Sequence, residues 1–507
     1  MKNLLDVIPM GVCTDSYKAG HYAMYPDALM MSAYGEFRQP FENDKEDNRF
    51  VFFGIKYIVE NFLCKKWTAD DIVDAEAFYK THNAGNTPYP FPRELFEKFV
   101  TENDGYFPVK VQALPEGTCA HIHVPVYQIS AEGEYSKLVT FIETVMTHIW
   151  YPCNVATLSR RVRDVIESAF EESVDDEFSW LINYKLHDFG FRGCATFEQS
   201  VIGGSAHLLN FKGSDTMSAC YYAQFVLNKG KPIGESIPAT EHSVMTAWKT
   251  EQDAIENMIK KFGDGLFACV LDSYDYEHCL AKVLPAIKEK KEAKKGHFVM
   301  RPDSGDPKES VLMGLHYGEK CWGTIENKKG FKIINNASVI QGDGVDYSTI
   351  KIILRAVMDE GYSAADVTFG MGAGLVQKHN RDTMGFATKL SYIKYEDGTS
   401  RDIMKYPKRD GGKSSLPGMF KVIRNELGIP IIYHVEDECP TGGEDLLKTV
   451  YNCGPVEGAF SETFDELRDR VASEWTKLPK LYNPISESLK ERIAEWVIAK
   501  KVEITSL

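Results

Sequence analysis

The chain has 507 residues, 43% of them hydrophobic and 12% aromatic, with a formal net charge of -15. That length exceeds one ordinary domain and leaves room for two sizeable cores, and the apolar content excludes intrinsic disorder. The negative balance argues against nucleic acid or an anionic membrane as partner, so anionic ligands must be met by a local gathering of Lys and Arg. No apolar run reaches the roughly 18 to 20 residues of a membrane-spanning helix. Asp6 and Asp15 interrupt the start of the chain too early for a secretory apolar core. The eleven cysteines are scattered and form no Cys-x-x-Cys pair, which predicts free thiols and a cytoplasmic setting.

In chain order, Gly54 to Trp67 has helical apolar spacing through Ile55, Ile58, Val59 and Phe62. Val109 to Ile129 reads as two strands around the turn Pro115-Glu116-Gly117. From about residue 155 short apolar runs, each closed by a polar or glycine-rich cluster, alternate with helical stretches. The clusters centre on Asp188, Gly213, His242, Asp272, Asp303, Asp343 and the run Gly370 to Gly374. They recur every ~25 to 40 residues, about one βα unit. Clear strands precede four of them: Phe267 to Leu271, His297 to Met300, Ser338 to Ile340 and Val367 to Phe369. A doubly wound sheet would show the same alternation but bind at a single switch point. So many functional clusters at strand ends instead predict a β/α barrel, whose site is built from the C-terminal ends of its strands.

After about residue 395 the alternation stops. Asp397-Gly398 signals a hairpin, Arg401 to Lys413 is basic with a Gly411-Gly412 hinge, and Ser488 to Lys501 reads as an amphipathic helix with Ser488 as its N-cap. The fold class is therefore α/β: an irregular β/α barrel over 154–394, with an outer α+β domain formed by 1–153 and 395–507.

Asp303 in Pro302-Asp303-Ser304-Gly305 and Asp343 in Gly342-Asp343-Gly344 follow apolar runs among small residues. Such carboxylates suit sugar hydroxyls, although a helix N-cap would use the same residue type. The run Gly370 to Gly374 can present backbone N–H groups to a phosphate, or serve as a tight turn. His242, at a strand-to-helix junction, is a candidate base, acid or phosphate acceptor. Phe189 is a candidate ring for stacking, and Arg301, Arg381, Lys389 and Lys405 are candidate phosphate cations. Cys119, His121 and His123 share a strand face but lack a fourth ligand, so no metal site is assigned. Glu436 to Gly443 reads as a turn, and the lysine-rich Lys288 to Lys295 as a solvated helix face.

These motifs together resemble the nicotinate/nicotinamide phosphoribosyltransferase family, in its nicotinamide-using branch. The resemblance is carried by Asp15-Ser16-Tyr17-Lys18, Lys185-Leu186-His187-Asp188-Phe189-Gly190, Asn210-Phe211-Lys212-Gly213, Arg301-Pro302-Asp303-Ser304-Gly305 and Val339 to Asp346. It is colinear from about residue 10 to about 415 and loose over the last ninety or so. It implies condensation of nicotinamide with 5-phosphoribosyl 1-pyrophosphate (PRPP) to nicotinamide mononucleotide, with Mg²⁺, in a homodimer whose active sites are shared. It further implies that Phe189 and a partner chain's Tyr17 sandwich the nicotinamide ring, while Asp215 and Arg301 bind its amide. Asp303, Asp343 and Gly342 would hold the ribose, and Gly372 and Ala373 the 5′-phosphate, with Arg381 and Lys389 reaching in from the neighbour. Arg38, Arg192 and Lys405 would meet pyrophosphate or ATP phosphates, and ATP would phosphorylate His242 with Asp272 oriented toward it. Ala373 stands where the family carries a glycine, Ala387 and Ala268 where it carries serines, and Phe191 where it carries a tyrosine. Competing expectations are a nicotinate phosphoribosyltransferase or a non-catalytic nucleotide-binding protein.

Overall fold

The computed structural model describes residues 4–85, 87–407, 414–439 and 442–506. The chain divides into two compact units. One comprises Val155–His379 with Thr463–Arg468; the other comprises Met1–Asn154, Asn380–Glu462 and Asp469–Leu507. The second boundary thus falls at 379 and not at the expected 394. The reason is pairing: the strand Ala387–Tyr395 runs antiparallel to Ala28–Glu36 along its whole length, so it joins the outer sheet.

In the first unit six parallel strands stand in the order Gly213–Ser214, Leu186–Asp188, Val367–Met371, Ala337–Gln341, His297–Arg301, Leu266–Val270. Two isolated parallel bridges, Gly213 with Glu235 and Ala239 with Ala268, join the outermost strands through one short segment. Its backbone bonds are Ser214 N to Glu235 O (3.1 Å), Glu235 N to Lys212 O (2.8 Å), Thr240 N to Ala268 O (3.1 Å) and Ala268 N to Pro238 O (2.9 Å). The ring is therefore closed, and the open-sheet alternative is excluded. The closing segment was hidden in the sequence because Pro232 and Pro238 argue against a strand.

The helices of this unit start at side-chain caps. Thr196 caps Phe197–Leu208, Thr250 caps Glu251–Phe262, Asp306 caps Pro307–Trp322, and Asp346 forms a capping box for Tyr347–Asp359. Because Asp306 and Asp346 hold those last two helices, Asp303 and Asp343 are released from capping. Inside the ring Ala268, Val299 and Ile340 form a small apolar layer against which Phe189 and Ile237 pack. In the helix Leu284–Glu292, Lys291 is buried rather than solvated, its Nζ donating to Asn336 O at 2.7 Å.

The second unit is built on a six-stranded antiparallel sheet, in the order Ser400–Asp402, Ala387–Tyr395, Ala28–Glu36, Tyr127–Glu132, Lys110–Ala113, Lys448–Asn452. The hairpin expected at Asp397-Gly398 is present, with Gly398 at φ +85°. The one expected around Pro115-Glu116-Gly117 is not. Lys110–Ala113 pairs with Tyr127–Glu132, whereas Cys119–His121 pairs with Arg49–Val51. Glu116 in that turn instead accepts from the N–H groups of Gly54 (2.8 Å) and Lys56 (3.1 Å). His121 and Cys119 are buried, with His121 Nε2 against Pro479 O at 2.7 Å. The helix Glu487–Ser506 is capped by Ser486, whose Oγ accepts from Leu489 N at 3.2 Å, while Ser488 Oγ donates to Asp437 at 2.7 Å. The Gly411-Gly412 pair, and Pro440 and Thr441 of the Glu436 to Gly443 turn, lie outside the described residues. Among the described residues no helix is long and apolar enough to cross a membrane.

Candidate active site

The barrel encloses a cavity of ≈ 560 Å³ whose lining includes Phe189, Asp215, Ser236, Ile237, Ala268 and Arg301. Phe189 follows the strand Leu186–Asp188, and its backbone N–H donates to Met371 O at 3.0 Å. Its ring lies on a glycine floor. A Cβ on Gly370 would come within 3.0 Å of three ring carbons, and one on Gly342 within 3.2 Å of Cε2. The Arg301 guanidinium sits 5.5 Å from the ring centroid. One of the expected glycines thus seats the ring: Gly370 lies within the strand Val367–Met371, and only Gly372 and Ala373 stand at the start of the following four-residue helix Ala373–Val376.

Arg301 Nη2 donates to Asp303 Oδ1 at 2.7 Å. Its Nε is buried without a hydrogen-bond partner among the described residues. Across the lining, Asp215 Oδ1 accepts from Ser236 Oγ at 2.6 Å and lies 3.9 Å from His187 Nδ1. Burial alone would push this carboxyl up. The His187 ring, the Ser236 hydroxyl and the Arg301 charge outweigh it and hold the group below the usual carboxylate range, so Asp215 stays ionised. The cavity therefore offers an aromatic face, a guanidinium donor and a carboxylate acceptor. That combination recognises a flat ring carrying both a donor and an acceptor.

Beside it Asp272 is almost fully buried and organises three neighbours. Its Oδ2 accepts from Asp303 N (3.0 Å) and Ser304 Oγ (2.5 Å), and its Oδ1 faces His242 Nε2 at 3.1 Å. His242 opens the helix His242–Thr246, is 46% exposed, and has Nδ1 3.8 Å from Asp303 Oδ2. A neutral imidazole donating from Nε2 to Asp272 leaves the Nδ1 lone pair free. Asp343 and Arg192 are exposed on the same unit, two residues past the strand Ala337–Gln341 and in the middle of the turn Phe191–Gly193.

The remaining candidates belong to the outer unit. Lys389, on the strand Ala387–Tyr395, has its pKa lowered first by burial and then by the nearby charges of Arg38, Lys405 and Lys18, against the opposing pull of Glu143. Arg38, Lys389 and Lys405 are therefore brought together as a cationic cluster. Arg38 Nε donates to Gly385 O at 3.0 Å. Tyr17 and Arg381 are largely exposed. Sequence reading missed Ser236 and His187 as parts of the site, and gave Gly370 to a phosphate cradle rather than to the floor under Phe189. The signal for the first was masked by prolines, and the second stood in plain view within His187-Asp188-Phe189-Gly190.

Residues 184–455 match the nicotinate phosphoribosyltransferase (NAPRTase) family, and residues 10–111 match the N-terminal domain of nicotinamide phosphoribosyltransferase. The nicotinamide phosphoribosyltransferase of Xanthomonas campestris pv. campestris is 34% identical over 453 residues, covering 87% of this chain and 94% of that protein. That of Acinetobacter baylyi is 27% identical over 91% of this chain and 96% of its own length. Among solved structures, human nicotinic acid phosphoribosyltransferase superposes with a TM-score of 0.63, and nicotinate-nucleotide pyrophosphorylase from Pyrococcus furiosus with 0.61. Both are 16% identical and cover 95% of this chain and 99% of theirs, so they speak to the fold.

Proposed function

Because the chain belongs to the nicotinate phosphoribosyltransferase family, whose members are pentosyltransferase enzymes of NAD salvage, we propose that its substrates are nicotinamide and PRPP and its products nicotinamide mononucleotide and pyrophosphate. The observation that carries the choice of nicotinamide is the ionised Asp215 set across the cavity from Arg301. A carboxamide supplies the N–H that Asp215 accepts and the oxygen to which the free Arg301 Nε donates. A carboxylate would place like charges together in a partly desolvated pocket.

In this reading the pyridine ring packs against Phe189, and its nitrogen attacks C1 of the ribose as the bond to pyrophosphate breaks. The transition state has oxocarbenium character, as in glycosyl transfer generally. The ring nitrogen carries no proton, so no general base is needed, and the residues act by holding atoms in line. Asp303 and Asp343 accept from the ribose hydroxyls with Gly342 beside them, and Gly372 and Ala373 receive the 5′-phosphate. Arg192, Arg38, Lys405, Arg381 and Lys389 supply the local positive charge that an acidic protein needs to hold phosphates. Mg²⁺ would neutralise the leaving pyrophosphate. The described residues carry no cluster of three or more His, Cys, Asp or Glu able to hold a metal by themselves. Such an ion would sit mainly on phosphate oxygens, with Asp303 or Asp343 as its protein contact. ATP would supply a phosphoryl group, and His242, oriented by Asp272, is the residue to accept it.

The protein is expected to act as a homodimer, with Tyr17, Arg381 and Lys389 completing the partner's site. Support comes from the exposure of Tyr17 and from an apolar patch on the barrel unit, where Met217, Tyr221 and Phe225 are 82%, 64% and 53% exposed. The deciding experiment supplies nicotinamide or nicotinate with PRPP and Mg²⁺, with and without ATP, and measures each mononucleotide. Preferential use of nicotinate would overturn the assignment.

A further inference from the structure

The segment that closes the barrel brings one side chain to the substrate cavity for which the mechanism above has no role. Glu235 is locked into the ring by its two backbone bonds, to Ser214 N and Lys212 O. Ser236, the next residue, therefore arrives opposite Asp215 with no freedom of register. Its Oγ donates to Asp215 Oδ1 at 2.6 Å, a short charge-assisted bond. His187 Nδ1 is nearest to that same Oδ1 oxygen, at 3.9 Å, and the His187 ring is itself fixed by its packing on Gly213, where a Cβ would collide with it. Asp215 Oδ2 has no hydrogen-bond partner among the described residues. The Ser236 bond thus occupies one carboxylate oxygen, on the side that His187 also faces, and leaves the other for a ligand.

We propose that Ser236 is a positioning residue that sets the preference for an amide over a carboxylate. It pins Asp215 Oδ1, so that Oδ2 faces the substrate as a charged, single-purpose acceptor. Without it the carboxylate can rotate, and a proton shared with a substrate carboxylate becomes affordable. The inference rests on reading the cavity as the nicotinamide site. Ser236 is exposed to the cavity rather than packed in the core, so its removal leaves the fold intact.

The test compares wild type with Ser236→Ala and Ser236→Thr, using nicotinamide and nicotinate as competing substrates across pH. Losing a hydrogen bond to a charged group should lower kcat/KM for nicotinamide by about 10-fold to 100-fold in Ser236→Ala. Nicotinate should change much less, so the preference narrows, and Ser236→Thr should restore it by keeping the hydroxyl. The acidic limb of the nicotinamide profile should move to higher pH in Ser236→Ala, because the bond that favoured the ionised carboxylate is gone. A purely structural role would move neither the preference nor the limb. If wild type uses nicotinamide and Ser236→Ala keeps both unchanged, the inference is wrong while the proposed function stands. If wild type makes no product from nicotinamide, the proposed function falls and takes this inference with it.

Discussion

Replacing Gly370 by alanine tests whether the aromatic face of the cavity depends on its glycine floor. The added Cβ would fall closer than 3.0 Å to Cε2, Cδ2 and Cζ of Phe189. No small adjustment absorbs three such contacts, so the ring must swing away. The backbone of Gly370 is not in the left-handed region that only glycine favours, so alanine adds no conformational penalty of its own. Overpacking at a filled position costs ~1–3 kcal/mol. A displaced ring also forfeits stacking on the substrate, worth ~0.5–1.5 kcal/mol, and its contact with Arg301. Gly370→Ala should therefore lower kcat/KM for nicotinamide by about 2-fold to 10-fold, chiefly through KM, while the overpacking itself appears as a fall in Tm. The check is a double-mutant cycle with Phe189→Ala, using initial rates of mononucleotide formation. Once the ring is gone the alanine has nothing to displace, so the second substitution should cost almost nothing. Equal costs of Gly370→Ala in both backgrounds would refute the reasoning.

Three further outcomes follow from the same geometry. His242→Ala should abolish ATP hydrolysis and any ATP stimulation while leaving weak PRPP-dependent synthesis; full stimulation in the mutant would remove His242 from that role. Asp215→Asn should lower kcat/KM for nicotinamide and narrow or reverse its preference over nicotinate by ~10²-fold or more, since repulsion and a lost hydrogen bond act together; an unchanged preference would show that another group selects. His207, fully buried between Ser159 Oγ (2.9 Å) and Gly213 O (3.0 Å), has its pKa pushed by burial from 6.5 down to about 3. The unfolded chain therefore binds a proton that the folded one refuses. This contribution is fully present above pH 6.5 and is lost at up to ~1.4 kcal/mol per pH unit as pH falls from there toward 3. Denaturant unfolding of wild type and His207→Asn at pH 7, 6 and 5 should show a flatter dependence in the mutant, and identical slopes would contradict it.

How much of this was legible in the sequence depends on the range of the forces involved. The barrel strands His297–Arg301, Ala337–Gln341 and Val367–Met371 were found to within a residue or two, because each is a short, largely apolar run buried on both faces. Asp303, Asp343 and His242 were visible as carboxylates and a histidine at strand ends. Whether the two carboxylates were helix caps was not decidable locally, since Asp303 and Asp306 offer the same side chain three residues apart; only the bond from Glu309 N to Asp306 assigns the cap. The strand Cys119–His121 was given to the wrong neighbour for a related reason. A glycine turn predicts a hairpin, but which strand lies beside it is decided by partners some seventy residues away, at Arg49–Val51.

The least legible part of the site is the one that matters most for selectivity. Ser236 lies between two prolines, in a segment too short and too interrupted to read as a strand. Its role exists only because Glu235 and Ala239 bridge the two open edges of the sheet, one residue before it and three after. Proline is tolerated there because Pro238 contributes only its carbonyl, to Ala268 N, and is asked for no N–H. The ring is thus closed by a strand with few ladder bonds. A closing strand of that kind leaves side chains free to point into the cavity that a regular pair of strands would have filled. Asp188 illustrates the contrast. It sits one strand away in a regular parallel pair, accepts from the N–H of Gly190 at 2.7 Å, and is buried out of a ligand's reach. Asp215, beside the irregular closure, is engaged at one oxygen but stays half exposed in the cavity lining, so the weakest seam of the barrel is where substrate discrimination can be built.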